Sequence, residues 1–344
     1  MKAIGYLQPQ AIENNDSLID IELETPTPIG RDLLIKVQAV SVNPVDTKVR
    51  ANSAPESGYK ILGWDAVGEV IAVGEHTELF NIGDKVWYAG DITRPGSNTE
   101  YQLVDERIVG KKPTSLSNTE AAAMPLTAIT AWELLFDRLD FVAQTETAKV
   151  QNTASEKRIL IIGAAGGVGS ILTQLATRLT DAFVIGTASR QQSQDWVKKL
   201  GADHVINHHQ PLLPQLNDVG IDDVTHVISL THTDQYFDQL VEVLTPQGKL
   251  ALIDDPRDGL DIMKLKMKSI SLHWEFMYTR SMYQTSDMIK QHELLNSIAK
   301  LIDEGRIQTT LGDHYGTINA ENLKRAHAHI ESNQTIGKVV LEGF

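Results

Sequence analysis

The apolar positions of this 344-residue chain change period along its length. In the first third they form short Val- and Ile-rich runs, "DLLIKVQAVSV" (32–42) and "AVGEVIAVG" (66–74), set between glycines and prolines. That pattern predicts strands. "NIGDKVWY" (81–88) reads as a turn entering another strand. Ser117 and Glu120 then stand at the S-x-x-E spacing of a capping box, so a helix is expected to start there. Pro125 kinks or breaks it, and "LTAITAWELLF" (126–136) resumes helical spacing. Residues 140–157 are polar and irregular, which predicts a surface excursion.

From Ile159 onward, strand and helix patterns alternate. "ILII" (159–162) leads into a helix reaching about residue 179. "AFVIGTA" (182–188) precedes a helix ending at Gly201, and "HVIN" (204–207) follows. "VTHVISL" (224–230), a helix near 234–244 and "GKLALID" (248–254) continue the series. Short β-branched runs alternating with helices predict a doubly wound parallel sheet, an α/β class. "SISLHWEFM" (269–277) is a sixth candidate strand. Met288, Leu295, Ile298 and Ile302 mark an amphipathic helix that Gly305 ends, and "TIGKVVLEGF" closes as a strand. There is no internal repeat. The layout predicts a β-rich domain over 1–125, an α/β domain over 126–280, and a segment over 281–344. That last segment is too short for its own core and is expected to return to the first domain.

Composition narrows the function classes. The chain is 42% hydrophobic and 22% charged, ordinary for a globular protein. Its 31 Lys+Arg against 45 Asp+Glu give a net charge of −14, with no basic cluster, so nucleic acid is not an expected partner. It has no cysteine, which removes disulfides, thiolate metal sites and a cysteine nucleophile. "MKAIGY" leads into polar residues without the apolar core of a signal peptide. No apolar run approaches the ~18 residues of a membrane span. A cytoplasmic protein away from membranes is expected.

"ILIIGAAGGVGSILTQLA" (159–176) carries the first chemistry. A glycine pattern alone is weak. Here it follows a predicted strand and opens a predicted helix, the setting in which such a loop holds a dinucleotide. In the G-x-G-x-x-G spacing Ala164 takes the first position, Gly166 and Gly169 the other two, with Gly163, Gly167 and Val168 between and beside them. Gly166 would let a pyrophosphate approach the backbone, and Gly169 would let the helix lie close to the sheet. The phosphates would sit at the positive end of that helix. An NAD-selective fold places Asp or Glu about 20 residues further on. This chain has Ser189 and Arg190 there, and no acid before Asp195. A hydroxyl and a guanidinium suit a 2′-phosphate, so NADP(H) is the expected cofactor; otherwise Arg190 is a solvated helix-start residue.

Several motifs then occur in order: "SVNPVDTKVR" (41–50), "LGWDAVGEVIAVG" (62–74), "FNIGDKVW" (80–87), "LTAITAWELL" (126–135) and "GAAGGVGSILTQLA" (163–176). Together they resemble the medium-chain dehydrogenase/reductase superfamily over essentially the whole chain. The nearest branch in appearance is the zinc-free quinone oxidoreductases and zinc-type alcohol dehydrogenase-like enzymes. The resemblance implies a GroES-like β-rich catalytic domain interrupted by a Rossmann domain, with the active site in the cleft between them, and a homodimer formed through "SISLHWEFM". Zinc-dependent members carry a cysteine in the segment matching "SVNPVD" and a His-Glu pair after the glycine matching Gly63. This chain has Asn43-Pro44 and Trp64-Asp65 there, and no cysteine for a structural zinc. No metal is therefore expected. The eleven histidines offer no replacement. His204 and His208 lie on a predicted strand and loop, and His327 and His329 diverge on a predicted helix.

The resemblance implies hydride transfer. A metal-free site does not strongly activate an alcohol, whereas a quinone or an α,β-unsaturated carbonyl is already electrophilic. Hydrogen-bond donors would stabilise the charge growing on its oxygen. Asn43 is the leading candidate for that donor, or else an Asn-Pro turn residue. Asp46 and Arg50 have the spacing of an ordinary helical ion pair. Trp64 floors an aromatic pocket or fills the volume of the missing metal. Tyr59 is a proton donor or a surface residue. Thr127 matches a position near the nicotinamide, or bonds its own helix backbone. By the same resemblance, His208 packs at the adenosine phosphate end, and Leu230 and Ile253 end strands near the cofactor. The leading expectation is a NADPH-dependent, zinc-independent reductase of a small quinone or enone. The alternatives are a zinc-dependent alcohol dehydrogenase and a NADPH-binding sensor or structural protein without turnover.

Overall fold

The structure, a computed structural model, describes residues 1–144 and 155–344. Of the excursion expected over 140–157, residues 145–154 lie outside the described residues, and those flanking them form no helix or strand. The chain divides into two compact units. One comprises Met1–Ile129 with Met277–Phe344, the other Thr130–Phe276.

The first unit is built on a seven-stranded sheet. Its order is Leu311–His314, Lys338–Glu342, Asp32–Val42, Ala66–Val73, Lys85–Tyr88 and Val109–Lys111, with Tyr101–Asp105 also paired to Asp32–Val42. The long apolar run at 32–42 is central, and eight of its eleven residues are buried because it is covered on both faces. The closing strand runs antiparallel to it, with Val339 opposite Val42 and Val340 opposite Ser41. On its other side Val40 faces Ala66. A smaller sheet joins Ile19–Glu22, Lys2–Tyr6 and Lys60–Ile61.

Helix boundaries follow local chemistry. Ser117 caps Asn118–Ala122: its Oγ accepts from the Glu120 N–H, and Glu120 Oε2 accepts from the Ser117 N–H at 2.9 Å. Pro125 opens a separate helix, Pro125–Trp132, because a proline lacks the N–H that a continuing helix needs. The amphipathic helix is Lys290–Asp303, with Leu295, Ile298 and Ile302 buried. Gly305 beyond it adopts φ +72°.

The second unit holds a six-stranded, wholly parallel sheet. Its order is His204–Ile206, Phe183–Thr187, Arg158–Ile162, Val224–Ser229, Leu244–Leu252 and Ser271–Trp274. Numbered along the unit this is 3-2-1-4-5-6, the doubly wound dinucleotide-binding order. Helices Gly167–Leu179, Gln191–Lys199, Leu212–Asn217 and Thr233–Val243 connect its strands. Leu160, Ile162, Ile185, Val227, Leu250 and Leu252 form its core. Of the strand expected over 269–277, only Ser271–Trp274 pairs, and it forms the edge of the sheet. Among the described residues no helix is long and apolar enough to cross a membrane.

Candidate functional site

In an open parallel sheet, the crevice lies at the carboxyl ends of the strands where the order reverses. Here that is between Arg158–Ile162 and Val224–Ser229. Gly163 follows Ile162 directly with φ +80°, a conformation that favours glycine. The tight turn is thus made one residue ahead of Ala164, the pattern's first position; Ala164 is fully buried. Gly163 N–H donates to Thr187 Oγ1 at 3.1 Å, and a Cβ at Gly163 would meet Thr231 at 3.0 Å.

The next two glycines differ in what requires them. A Cβ at Gly169 would lie 2.4 Å from the Gly163 carbonyl oxygen and 2.6 Å from Ala164, so helix Gly167–Leu179 can rest on the turn only with glycine there. A Cβ at Gly166 would meet nothing closer than that same oxygen at 3.5 Å. Its backbone, φ −73° and ψ −178°, suits any residue. Protein packing does not demand glycine at 166, whereas an anion approaching the helix N-terminus would. Gly166, Gly167 and Val168 are all half-buried in this cradle. The residues present fit a dinucleotide.

Ser189 and Arg190 follow the second strand, Ser189 half-buried and Arg190 exposed at the start of helix Gln191–Lys199. Trp196 on that helix donates from Nε1 to Ser170 Oγ at 2.8 Å, tying it to the helix that opens the cradle. His208 follows the third strand. Its Nδ1 lies 3.3 Å from Thr187 Oγ1, and its ring meets Tyr236 edge-on at 6.0 Å. Burial, then the neighbouring His209 and His232, push its pKa down to about 4, so it is neutral at physiological pH. Leu230 and Ile253 are half-buried just past the fourth and fifth strands.

The first unit gathers a second set of predicted residues. Three strand ends meet because of the sheet register. Asn43 follows Val42, Lys338 precedes Val339 opposite it, and Asp65 precedes Ala66 on the other neighbour. The Asp65 carboxylate is fully buried and accepts four hydrogen bonds. Ser41 Oγ donates at 2.7 Å, Asn43 Nδ2 and Lys338 Nζ each at 2.8 Å, and the Leu126 backbone N–H at 2.7 Å. Lys338 Nζ also donates to Asn43 Oδ1. Lys338 is only 3% exposed and was not among the residues singled out in the sequence. Its one legible signal is a lysine opening the otherwise apolar run "KVVL".

Asp46 and Arg50 do not form the expected pair. Asp46 Oδ2 turns back to accept from the Asn43 N–H at 2.8 Å, capping helix Pro44–Asn52, while Arg50 pairs with Glu331. Burial pushes the Asp46 pKa up to about 7, against the pull of the Asn43 N–H and the Lys338 charge. Trp64 is buried and meets Tyr278 edge-on, with ring centroids 6.1 Å apart. Burial, then the nearby carboxylates of Asp46, Asp65 and Asp91, push the Tyr278 pKa well above 10. Thr127 Oγ1 donates to the Met124 carbonyl at 3.0 Å, and Tyr59 is exposed.

A zinc ion does not fit this cluster. An ammonium and an amide occupy the carboxylate that would face it, and among the described residues no three His, Cys, Asp or Glu side chains converge to hold a metal.

Known proteins agree with this architecture. Residues 30–114 match the alcohol dehydrogenase GroES-like domain, and residues 200–341 match the zinc-binding dehydrogenase domain. A zinc-type alcohol dehydrogenase-like protein of Staphylococcus aureus is 42% identical over 344 residues, covering 99% of both chains. A candidate zinc-dependent alcohol dehydrogenase from Rhizobium etli CFN 42 is 51% identical with a TM-score of 0.94, covering 100% of this chain and 98% of that one. The quinone oxidoreductase from Coxiella burnetii is 26% identical with a TM-score of 0.81, covering 100% and 99%. With both domains matched and the curated relative aligned nearly end to end, the chain belongs to the medium-chain dehydrogenase/reductase superfamily of oxidoreductases.

Proposed function

We propose that this chain is a NADPH-dependent, zinc-independent reductase of quinones or α,β-unsaturated carbonyls. One observation carries the reading: the Asp65 carboxylate is bound by Lys338 and Asn43, an arrangement that leaves an amide donor and no place for a Lewis-acid metal. A bound nicotinamide dinucleotide supplies a hydride, and a solvent proton completes the reduction of the acceptor. The chain's own residues bind and polarise. Gly163, Ala164, Gly166, Gly167, Val168 and Gly169 form the diphosphate seat, where backbone N–H groups and the helix N-terminus favour negative charge. Ser189 and Arg190 receive the 2′-phosphate, and His208, Leu230 and Ile253 flank the nucleotide. Asn43 donates to the acceptor oxygen as charge develops on it, with Trp64 and Thr127 shaping its surroundings. The quinone oxidoreductase likeness supports the substrate class. In the same reading the edge strand Ser271–Trp274, with Trp274 and Phe276 exposed, pairs with a second copy.

The test is a thermal-shift comparison of NADPH with NADH, then NADPH oxidation across a panel of quinones, enones and alcohols, with zinc analysis of the purified protein. NADPH is expected to give the larger shift, and quinones or enones the turnover. Stoichiometric zinc with alcohol oxidation would establish the metal-dependent alternative. Tight NADPH binding without turnover on any acceptor would establish the sensor.

A further inference from the structure

The orientation of the Asn43 amide is dictated by two neighbours of opposite chemistry. Lys338 carries only donors, so only Oδ1 can face it. The Asp65 carboxylate carries only acceptors, so only Nδ2 can face it. Both contacts are made, by Lys338 Nζ on Oδ1 and by Nδ2 on Asp65 at 2.8 Å. The amide has a second Nδ2–H, and no acceptor among the described residues takes it. Asn43 is 1% exposed, and a buried donor left without a partner is costly, which marks it as a group reserved for something else.

We propose that Lys338 is a positioning residue for hydride transfer: with Asp65 it locks the Asn43 amide so that the second Nδ2–H is presented to the oxygen of a bound quinone or enone. The proposal rests on the reductase reading above. Lys338 acts through Asn43, with two of its three N–H donors committed to Asn43 Oδ1 and the Asp65 carboxylate. Register explains why it can. The pairing of Val339 with Val42 places Lys338 beside Asn43 on the neighbouring strand, rather than at the end of a mobile loop. The lysine also balances the Asp65 charge, so the donor works beside a neutral pair.

Removing the lysine alone strands a buried carboxylate, so the test removes both charges in Lys338→Met/Asp65→Asn. Without a donor-only and an acceptor-only neighbour, the amide is no longer told which way to face. With benzoquinone or an alkyl enone as acceptor, kcat is expected to fall about 10- to 100-fold, while acceptor KM and the NADPH thermal shift stay near wild type. Asn43→Ala should cost a similar factor, and the triple variant should be no worse than the double, because both changes remove one interaction. Lys338→Gln is a milder second variant. Its amide offers oxygen as well as N–H, and the same direction of loss is expected. A folded variant turning over within twofold of wild type, or losses in the triple variant that multiply, would overturn the proposal while leaving the reductase reading intact. A wild-type protein that oxidises no NADPH with any acceptor would overturn the reading, and the proposal with it.

Discussion

The two glycines of the cradle separate ligand binding from packing in one experiment. In Gly166→Ala the new methyl meets only the Gly163 oxygen, at 3.5 Å, an ordinary contact. Alanine is a poorer N-cap than glycine, a loss of about 0.5–1 kcal/mol. It also restricts the unfolded chain, a gain of about 0.4–1 kcal/mol. These nearly cancel, so the unliganded protein should melt close to wild type. The methyl would occupy the space a phosphate oxygen needs. Losing one charge-assisted hydrogen bond there costs about 1.5–3 kcal/mol, or about 10- to 100-fold in Kd. Gly169→Ala is the opposite case. Its methyl would lie 2.4 Å from a backbone oxygen, an overlap that only movement of the helix relieves. About 1–3 kcal/mol of stability should be lost without ligand. The assay is a melting curve of each variant without ligand, then NADPH titration followed by nucleotide fluorescence. If Gly166→Ala bound NADPH within twofold of wild type, the loop would be a structural turn and the cradle argument would fail.

Arg190→Ala should weaken NADPH about 10-fold or more and leave NADH nearly unchanged, measured as the ratio of the two Kd values. His327 is fully buried, and burial followed by the Arg50 charge pushes its pKa down to about 3 from 6.5. The unfolded chain therefore takes up this proton first as pH falls, and stability should drop by ~1.4 kcal/mol per pH unit between 6.5 and 3 from this residue alone. His327→Leu, which also removes two buried nitrogens lacking partners, should flatten that part of the stability curve; an unchanged slope in urea melts from pH 7 to 5 would refute the assignment. Sedimentation is expected to give twice the 38.0 kDa chain mass, and a proline at His273 in the edge strand should shift it towards one.

Local chemistry was the readable part of this sequence. The Ser117 cap, the Pro125 break and the apolar strand at 32–42 each depend on neighbours a few residues away, and each stands where the pattern puts it. The alternation after Ile159 gave the parallel sheet for the same reason. Two features of the site were not readable. Asp46 and Arg50 sit one helical turn apart, but Asp46 is nearer an unpaired N–H at the helix start, while Arg50 finds Glu331 on a distant helix. Lys338 was hidden because its partners are 273 and 295 residues away, brought to it by strand register alone. The Trp64-Asp65 pair, where a His-Glu pair is expected in zinc-dependent members, gave no sign of the lysine that binds Asp65.

The strand that carries Lys338 also sets an order of events on the ribosome. Thr130–Phe276 is one uninterrupted stretch, so its sheet can form while the chain is still being made. The other unit cannot close its seven strands until Lys338–Glu342 has left the exit tunnel, because that strand lies between Leu311–His314 and Asp32–Val42. Until then Asp65 has no counter-ion, and the long strand at 32–42 has a bare edge. A nascent chain that stalls before residue 338 would therefore expose an incomplete sheet to chaperones and proteases.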